Sequence, residues 1–216
     1  LIGDGYNTKD VFGEYIHKYY YNRSIADGYT LKLIREGIKT EYRAKLNAVL
    51  EELEARKGSL SKKDVYAHPK YVAALVDYIV DDFQHSRVAL SDSTIGGMIV
   101  CDSSDQARMV DQELNRYSQV SHILILHDVE DKETRRRYTD DFKKGKIDLL
   151  VVYNMLLTGF DAPRLKKQYL GRVIKEHNLL QTLTRVNRPY KAFRYGYVVD
   201  FADIRAEFDK TNQAYF

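Results

Sequence analysis

The rhythm of apolar residues changes near residue 95. Upstream, apolar positions recur at helical spacing. In EYRAKLNAVLEELEARKG, Leu46, Val49, Leu50 and Leu53 fall three or four apart against a charged opposite face, which predicts an amphipathic helix, with Gly58 as its stop. YVAALVDYIVDDFQ repeats the pattern through Val72, Leu75, Val76, Ile79 and Phe83, with Pro69 just inside the start. Further upstream an Asp-Gly turn opens a stretch in which Tyr29, Leu31 and Leu33 alternate with polar or basic neighbours, the signature of a half-buried strand.

Downstream, short apolar runs alternate with polar helical patterns. GGMIVC, HILILHD, IDLLVVY, QYLGRVI and GYVVDF read as strands, and DSSDQARMVDQELNRY, DKETRRRYTDDFKKG and HNLLQTLTRVNR as helices. The apolar runs are continuous rather than alternating, as expected of strands covered on both faces in a parallel sheet. The expected architecture is α/β: an open, mainly parallel sheet with flanking helices over residues 95–203. A mostly helical connector (1–94) precedes it, and residues 204–216 begin a further helix. Open sheets of this kind bind ligands at the carboxyl ends of their strands, which directs the search for function to the loops after Cys101, His127, Tyr153 and Val173.

Composition narrows the class. The 216 residues are 44% hydrophobic and 30% charged with three prolines, an ordinary globular balance. No apolar run approaches the roughly 18 residues of a membrane span, so no membrane partner is expected. The single Cys101 cannot form an internal disulfide and no Cys/His cluster suggests a metal, so the expected setting is reducing and cytoplasmic. The chain starts at Leu1 without a signal peptide or initiator Met, as a segment of a longer chain would. The net charge is only +3, but from Asp131 to Lys191 there are 15 Lys and Arg against 7 Asp and Glu, a local excess of +8. A basic half can face a polyanion, although Arg135–Arg137 and Lys143–Lys146 taken alone also fit the wet face of a helix.

Two stretches carry candidate chemistry. In LLTGFDAP, Gly159 permits close backbone approach, Asp161 puts a carboxylate at the loop tip, and Pro163 fixes the exit. In QTLTRVNRP, Arg185 and Arg188 lie three residues apart, with Gln181 one turn earlier on the same helix face and Pro189 ending the segment. Arginine offers a permanently charged planar fork of donors that suits phosphate. Each stretch alone also fits a bland role, as a turn and as surface ion pairs beside the core residues Leu179, Leu180, Leu183 and Val186.

Together, TGFDAP after a strand and then HNLLQTLTRVNR resemble motifs V and VI of the second RecA-like domain of superfamily 2 helicases and translocases. More narrowly, LLTGFDAPRLKKQYLGRVIKEHNLLQTLTRVNRPY looks like the motor, or R, subunit of type I restriction enzymes. GGMIVCDSSDQA is similar to motif IV, and DVFGEYIHKYY with ADGYTLKLIREGIKTEYR resembles the stretch joining the two motor domains. Where many superfamily members carry Thr-Asp ahead of the motif V glycine, this chain has Tyr153 and Asn154.

The resemblance implies a RecA-like fold that closes over ATP and Mg²⁺ held mainly by a first motor domain, pulling double-stranded DNA toward a nuclease domain. It implies that Arg185 and Arg188 face the γ-phosphate, with Arg188 in the arginine-finger position. Gln181 would orient the nucleotide side of the helix, and Gly159 and Asp161 would line the cleft near the ribose. Ser103, Ser104 and Thr158 would contact DNA phosphates. The implied partners are double-stranded DNA and the methylation and specificity subunits of the restriction complex.

The sequence contains no GxxxxGK[ST] loop, no DExx-type quartet and no recognisable nuclease arrangement. No tightly bound nucleotide and no ATPase activity are therefore expected of this segment alone. His122, His127 and His177 lack metal-like spacing, Cys101 reads as packing, and the scattered tyrosines read as core and rim residues, with Tyr19–Tyr21 the exception worth testing. Two alternatives remain: a superfamily 2 translocase without a nuclease, and a non-enzymatic interaction module that has kept the fold.

Overall fold

A computed structural model describes residues 32–57, 62–157, 159–174 and 176–202. Its six strands are β1 (Lys32–Gly37), β2 (Gly96–Val100), β3 (His122–Ile125), β4 (Leu149–Val152), β5 (Leu165–Leu170) and β6 (Tyr195–Asp200). They form one sheet in the order β1-β6-β5-β2-β4-β3, and every pair of neighbours runs parallel. The helices are α1 (Thr40–Lys57), α2 (Lys62–Tyr66), α3 (Pro69–Ala89), α4 (Ser104–Leu114), α5 (Lys132–Lys143) and α6 (Glu176–Leu183).

The unbroken apolar runs have a direct cause. Successive strand residues point to opposite faces, and both faces are covered. Ile99, Leu149, Val151, Tyr169 and Val199 join a cluster with Leu46 of α1, the Tyr71–Phe83 stripe of α3, and Ala107, Val110 and Leu114 of α4. Their neighbours Met98, Val100, Leu150, Val152, Leu165, Leu170 and Val198 enter a second cluster with Phe142 of α5 and Leu179 and Leu183 of α6. Each fully buried aliphatic or aromatic side chain contributes about 1.5–3 kcal/mol, so the two layers carry most of the stability. The anticipated stripe of α3 is buried at all five positions, and α1 buries Leu46 and Leu53 fully.

Local signals set the helix starts. Pro69 opens α3, where the His68 ring nitrogen accepts from Lys70 N–H at 3.2 Å. The Asp131 carboxylate accepts from the N–H groups of Glu133 and Thr134 at the start of α5.

Residues before 95 do more than lead into the sheet. Strand β1 is its outer member, in register with β6 from Lys32–Tyr195 to Gly37–Asp200, and Arg35 donates two hydrogen bonds to the buried Asp200 carboxylate at 2.9 and 2.6 Å. The fifth strand also starts earlier than QYLGRVI suggests, at Leu165, because Lys166 and Lys167 lie inside it and are buried. Charged residues hid it from a hydrophobicity pattern. Tyr19–Tyr21, Tyr29, Leu31, Gly58, Thr158 and the helix expected from 204 lie outside the described residues.

The Gly96–Gly97 pair, where β2 shifts register against β5, lets aromatic rings press on the sheet. A Cβ on Gly96 would lie 2.5 Å from Phe142, and one on Gly97 would lie 2.7 Å from Leu149. Gly96→Val is therefore expected to lower the unfolding free energy by about 1–3 kcal/mol through overpacking. Urea unfolding of the chain measures this, and an unchanged midpoint would contradict the packing described.

Candidate functional site

Among its described residues the segment linking β4 to β5 contains no helix. Along Phe160-Asp161-Ala162-Pro163 the residues alternate buried, exposed, buried, exposed, so the apolar pair anchors the loop and turns Asp161 outward. Phe160 packs 6.0 Å from the Phe142 ring. Gly159 has φ +70 and is exposed, a conformation that a residue with a side chain enters only under strain. Leu156 in the same loop also has a positive φ of 63, a strained geometry of the kind that gathers at functional sites.

The second component follows α6. The helix stops at Leu183, short of the expected Arg188, and the chain tightens into three-residue turns: Arg185 N–H donates to Thr182 O at 3.2 Å and Asn187 N–H to Thr184 O at 3.3 Å. Pro189 disfavours helical geometry at Arg188. Arg185 and Arg188 therefore do not project from one helical face, and they differ in environment. Arg185 is buried, and its donors are committed inside the protein. Nη1 donates to the Phe160 carbonyl at 2.6 Å, Nε to the Gln181 carbonyl at 2.9 Å, and Nη2 to Gln181 Oε1 at 3.1 Å. Burial and then the neighbouring Arg188 charge push its guanidinium below its ordinary pKa, and Asp161 opposes them.

Arg188, in contrast, is half exposed at 50%, and its Nε lies 3.5 Å from Asp161 Oδ1. An ion pair this exposed is worth about 0–1 kcal/mol, so the guanidinium is held near the loop yet free to exchange partners. Gly159, Asp161, Gln181, Arg185 and Arg188 are thus brought together, with one cation locked and one presented.

Sequence reasoning missed two buried cations here. Lys166 donates to the carbonyls of Val186, at 3.3 Å, and Arg188, and burial pushes its pKa down to about 8. Arg164 donates to Thr94 O at 2.8 Å and to Phe142 O and Ile147 O at 2.7 Å each, with its guanidinium 4.8 Å from the Phe142 ring centroid. In a list of residues nothing separates such cations from solvated ones. The only available signal was their position between two strand-like segments.

The arginine cluster does not lie at the carboxyl ends of the strands. Lys166 and Gly196 are the second residues of β5 and β6, and both touch the Val186–Arg188 turn, so it sits at the amino ends. Ser103 and Ser104 follow β2 at the opposite end. Ser103 is buried and its hydroxyl accepts from Gln106 N–H at 3.1 Å as the cap of α4. Gln106 in turn accepts from Asp102 N–H at 2.6 Å and donates to Tyr66 O at 3.0 Å. Nearby, the Arg172 guanidinium lies 4.7 Å from the Tyr153 ring centroid. Among the described residues no His, Cys, Asp and Glu grouping could hold a metal, and no helix is long and apolar enough to cross a membrane.

Known proteins show what the chain is similar to. The family model "Type I restriction enzyme subunit R domain 3" matches residues 59–203. The endonuclease subunit of the type I restriction enzyme SauCOLORF180P of Staphylococcus aureus (strain COL) is 27% identical over 95% of this chain, which covers 26% of that protein. The SsaAORF53P endonuclease subunit of Staphylococcus saprophyticus is 25% identical, again over 95% of this chain and 27% of its own length. The chain therefore spans about a quarter of the length of the curated relatives it matches. A solved fragment assigned to the HsdR subunit of a type I restriction enzyme from Vibrio vulnificus YJ016 covers 100% of this chain and 40% of its own, with TM-score 0.67 at 17% identity. It shares the fold.

The two arginines should separate by stability. Arg185→Met strands the Phe160 carbonyl and is expected to cost about 1–3 kcal/mol. Arg188→Ala should stay within about 0.5 kcal/mol. Urea unfolding measures both. Lys166 should add a pH signature. Its folded pKa lies below the ordinary lysine value, so between about pH 8 and about pH 10 the unfolded chain binds the extra proton and stability rises with pH. Lys166→Met should lack that rise.

Proposed function

Because the chain belongs to the type I restriction enzyme subunit R domain 3 family, we propose that it is the second motor lobe of an R subunit. There ATP hydrolysis drives translocation of double-stranded DNA coupled to endonucleolytic cleavage. The observation that carries this reading is the half-exposed Arg188 guanidinium beside Asp161, at a junction that buried Arg185 locks together.

Arg188 takes the role of the arginine finger. Phosphoryl transfer needs little covalent chemistry from a protein, and a positioned planar cation that neutralises developing charge is a large share of what it supplies. Arg185 clamps the helix end to the Phe160 carbonyl, and Gln181 completes the clamp. Asp161 holds Arg188 near the loop until a phosphate replaces it, and Gly159 lets that loop take its shape. ATP and Mg²⁺ would be held mainly by a first lobe outside this chain. Ser104 and Thr158 would face the DNA backbone, with Ser103 shaping the helix end through its cap. The methylation and specificity subunits are the expected partners.

In a parent R subunit assembled with its partner subunits, Arg188→Ala should reduce DNA-stimulated ATP turnover by about 10³-fold or more while nucleotide binding persists. Unchanged turnover would remove the finger role. The 216-residue chain alone should show no DNA-dependent ATP hydrolysis. Binding to duplex DNA should weaken steeply with salt if the basic half meets phosphates.

A further inference from the structure

Lys166 lies on β5, one strand from the edge pair β6 and β1, with 0% exposure. An ammonium in such a place is costly unless bonded, and an apolar side chain of the same length would pack there at least as well. Its Nζ donates to backbone carbonyls, those of Val186 and Arg188. Burial alone accounts for its lowered pKa. The ammonium therefore grips the Val186–Arg188 backbone, where the turns that close on Arg185 and Asn187 run out.

Gly196 supports the same turn from β6. A Cβ there would lie 2.3 Å from the Val186 carbonyl oxygen, so the turn rests directly on the strand backbone. Pro189 follows Arg188 and fixes the next φ. The Arg188 side chain is long and half exposed, and its ion pair among the described residues is the weak one to Asp161. Where its guanidinium reaches is decided chiefly by where its backbone is rooted.

We infer that Lys166 is a positioning residue: it fixes the backbone of Val186–Arg188 so that the Arg188 guanidinium is presented to the phosphate of a nucleotide held by a facing lobe. This rests on the motor reading above. Its contribution is pre-organisation, since misplacing a reacting group by about 1 Å can cost about 10²-fold in rate.

The test is a double-mutant cycle in the assembled parent enzyme, reading kcat and KM for ATP in the presence of DNA. Lys166→Met should lower kcat by about 10- to 100-fold with KM within about twofold, because the interaction it supports forms in the transition state. Lys166→Gln, which retains a donor, should recover part of the loss. Adding Lys166→Met to Arg188→Ala should cost nothing further, because the lysine acts through the arginine. A wild-type kcat for Lys166→Met would overturn the inference while leaving the motor reading intact. So would a loss that multiplies fully with that of Arg188→Ala. If Arg188→Ala itself turns over normally, the finger reading fails and this inference fails with it. Should Lys166→Met not fold, as judged by circular dichroism, Lys166→Leu, which also lacks a donor, carries the same comparisons.

Discussion

The Arg185 guanidinium joined to the Phe160 carbonyl is the contact on which the rest of the site depends. It ties the end of α6 to the loop that crosses from β4 to β5. A buried cation bonded to carbonyls is a demanding arrangement, since removing either side leaves a desolvated polar group behind. That demand makes the junction specific. With Phe160 and Ala162 packed below and Arg185 bonded above, Asp161 faces outward and Arg188 lies beside it. One arginine supplies structure so that the other can remain available.

Strand β5 carries the same logic into the sheet. Lys166 and Lys167 are adjacent and therefore point to opposite faces. Lys167 donates to Glu36 at 2.6 Å and to Ser86 at 3.0 Å and lies 3.0 Å from Asp82, which binds β5 to β1 and α3. Lys166 reaches the arginine turn on the other side. A strand otherwise suited to apolar residues thus uses two charges to lock both layers.

The two groups of candidate residues lie at opposite ends of the sheet. The arginine turn is at the amino ends of β5 and β6, while the Ser103 cap and Arg172 on Tyr153 are at the carboxyl ends. Strand β5 spans the interval, about 20 Å at roughly 3.3 Å per residue. On the motor reading proposed above, a nucleotide cleft and a track for DNA would occupy opposite ends of the sheet, linked by one strand.

Much of the architecture was legible in the residues alone. Periodicity is a local property, and it placed β2, β3, β4, β6 and the helices α1, α3, α4 and α5 because each buries a face its own pattern defines. The Gly159–Asp161 loop and the Arg185–Arg188 pair could also be read, since glycine, proline and paired arginine restrict chemistry wherever they stand. The start of β5, the place of β1 in the sheet and the early end of α6 could not. Those depend on partners distant in sequence: Glu36 and Asp82 for Lys167, Val186 for Lys166, and Phe160 for Arg185. That Pro189 leaves Arg188 at a frayed end, free to reach, could be read from the sequence; that Arg185 is locked was decided only by the tertiary structure, because burial and the carbonyl that meets a guanidinium are products of packing and leave no trace in composition or spacing.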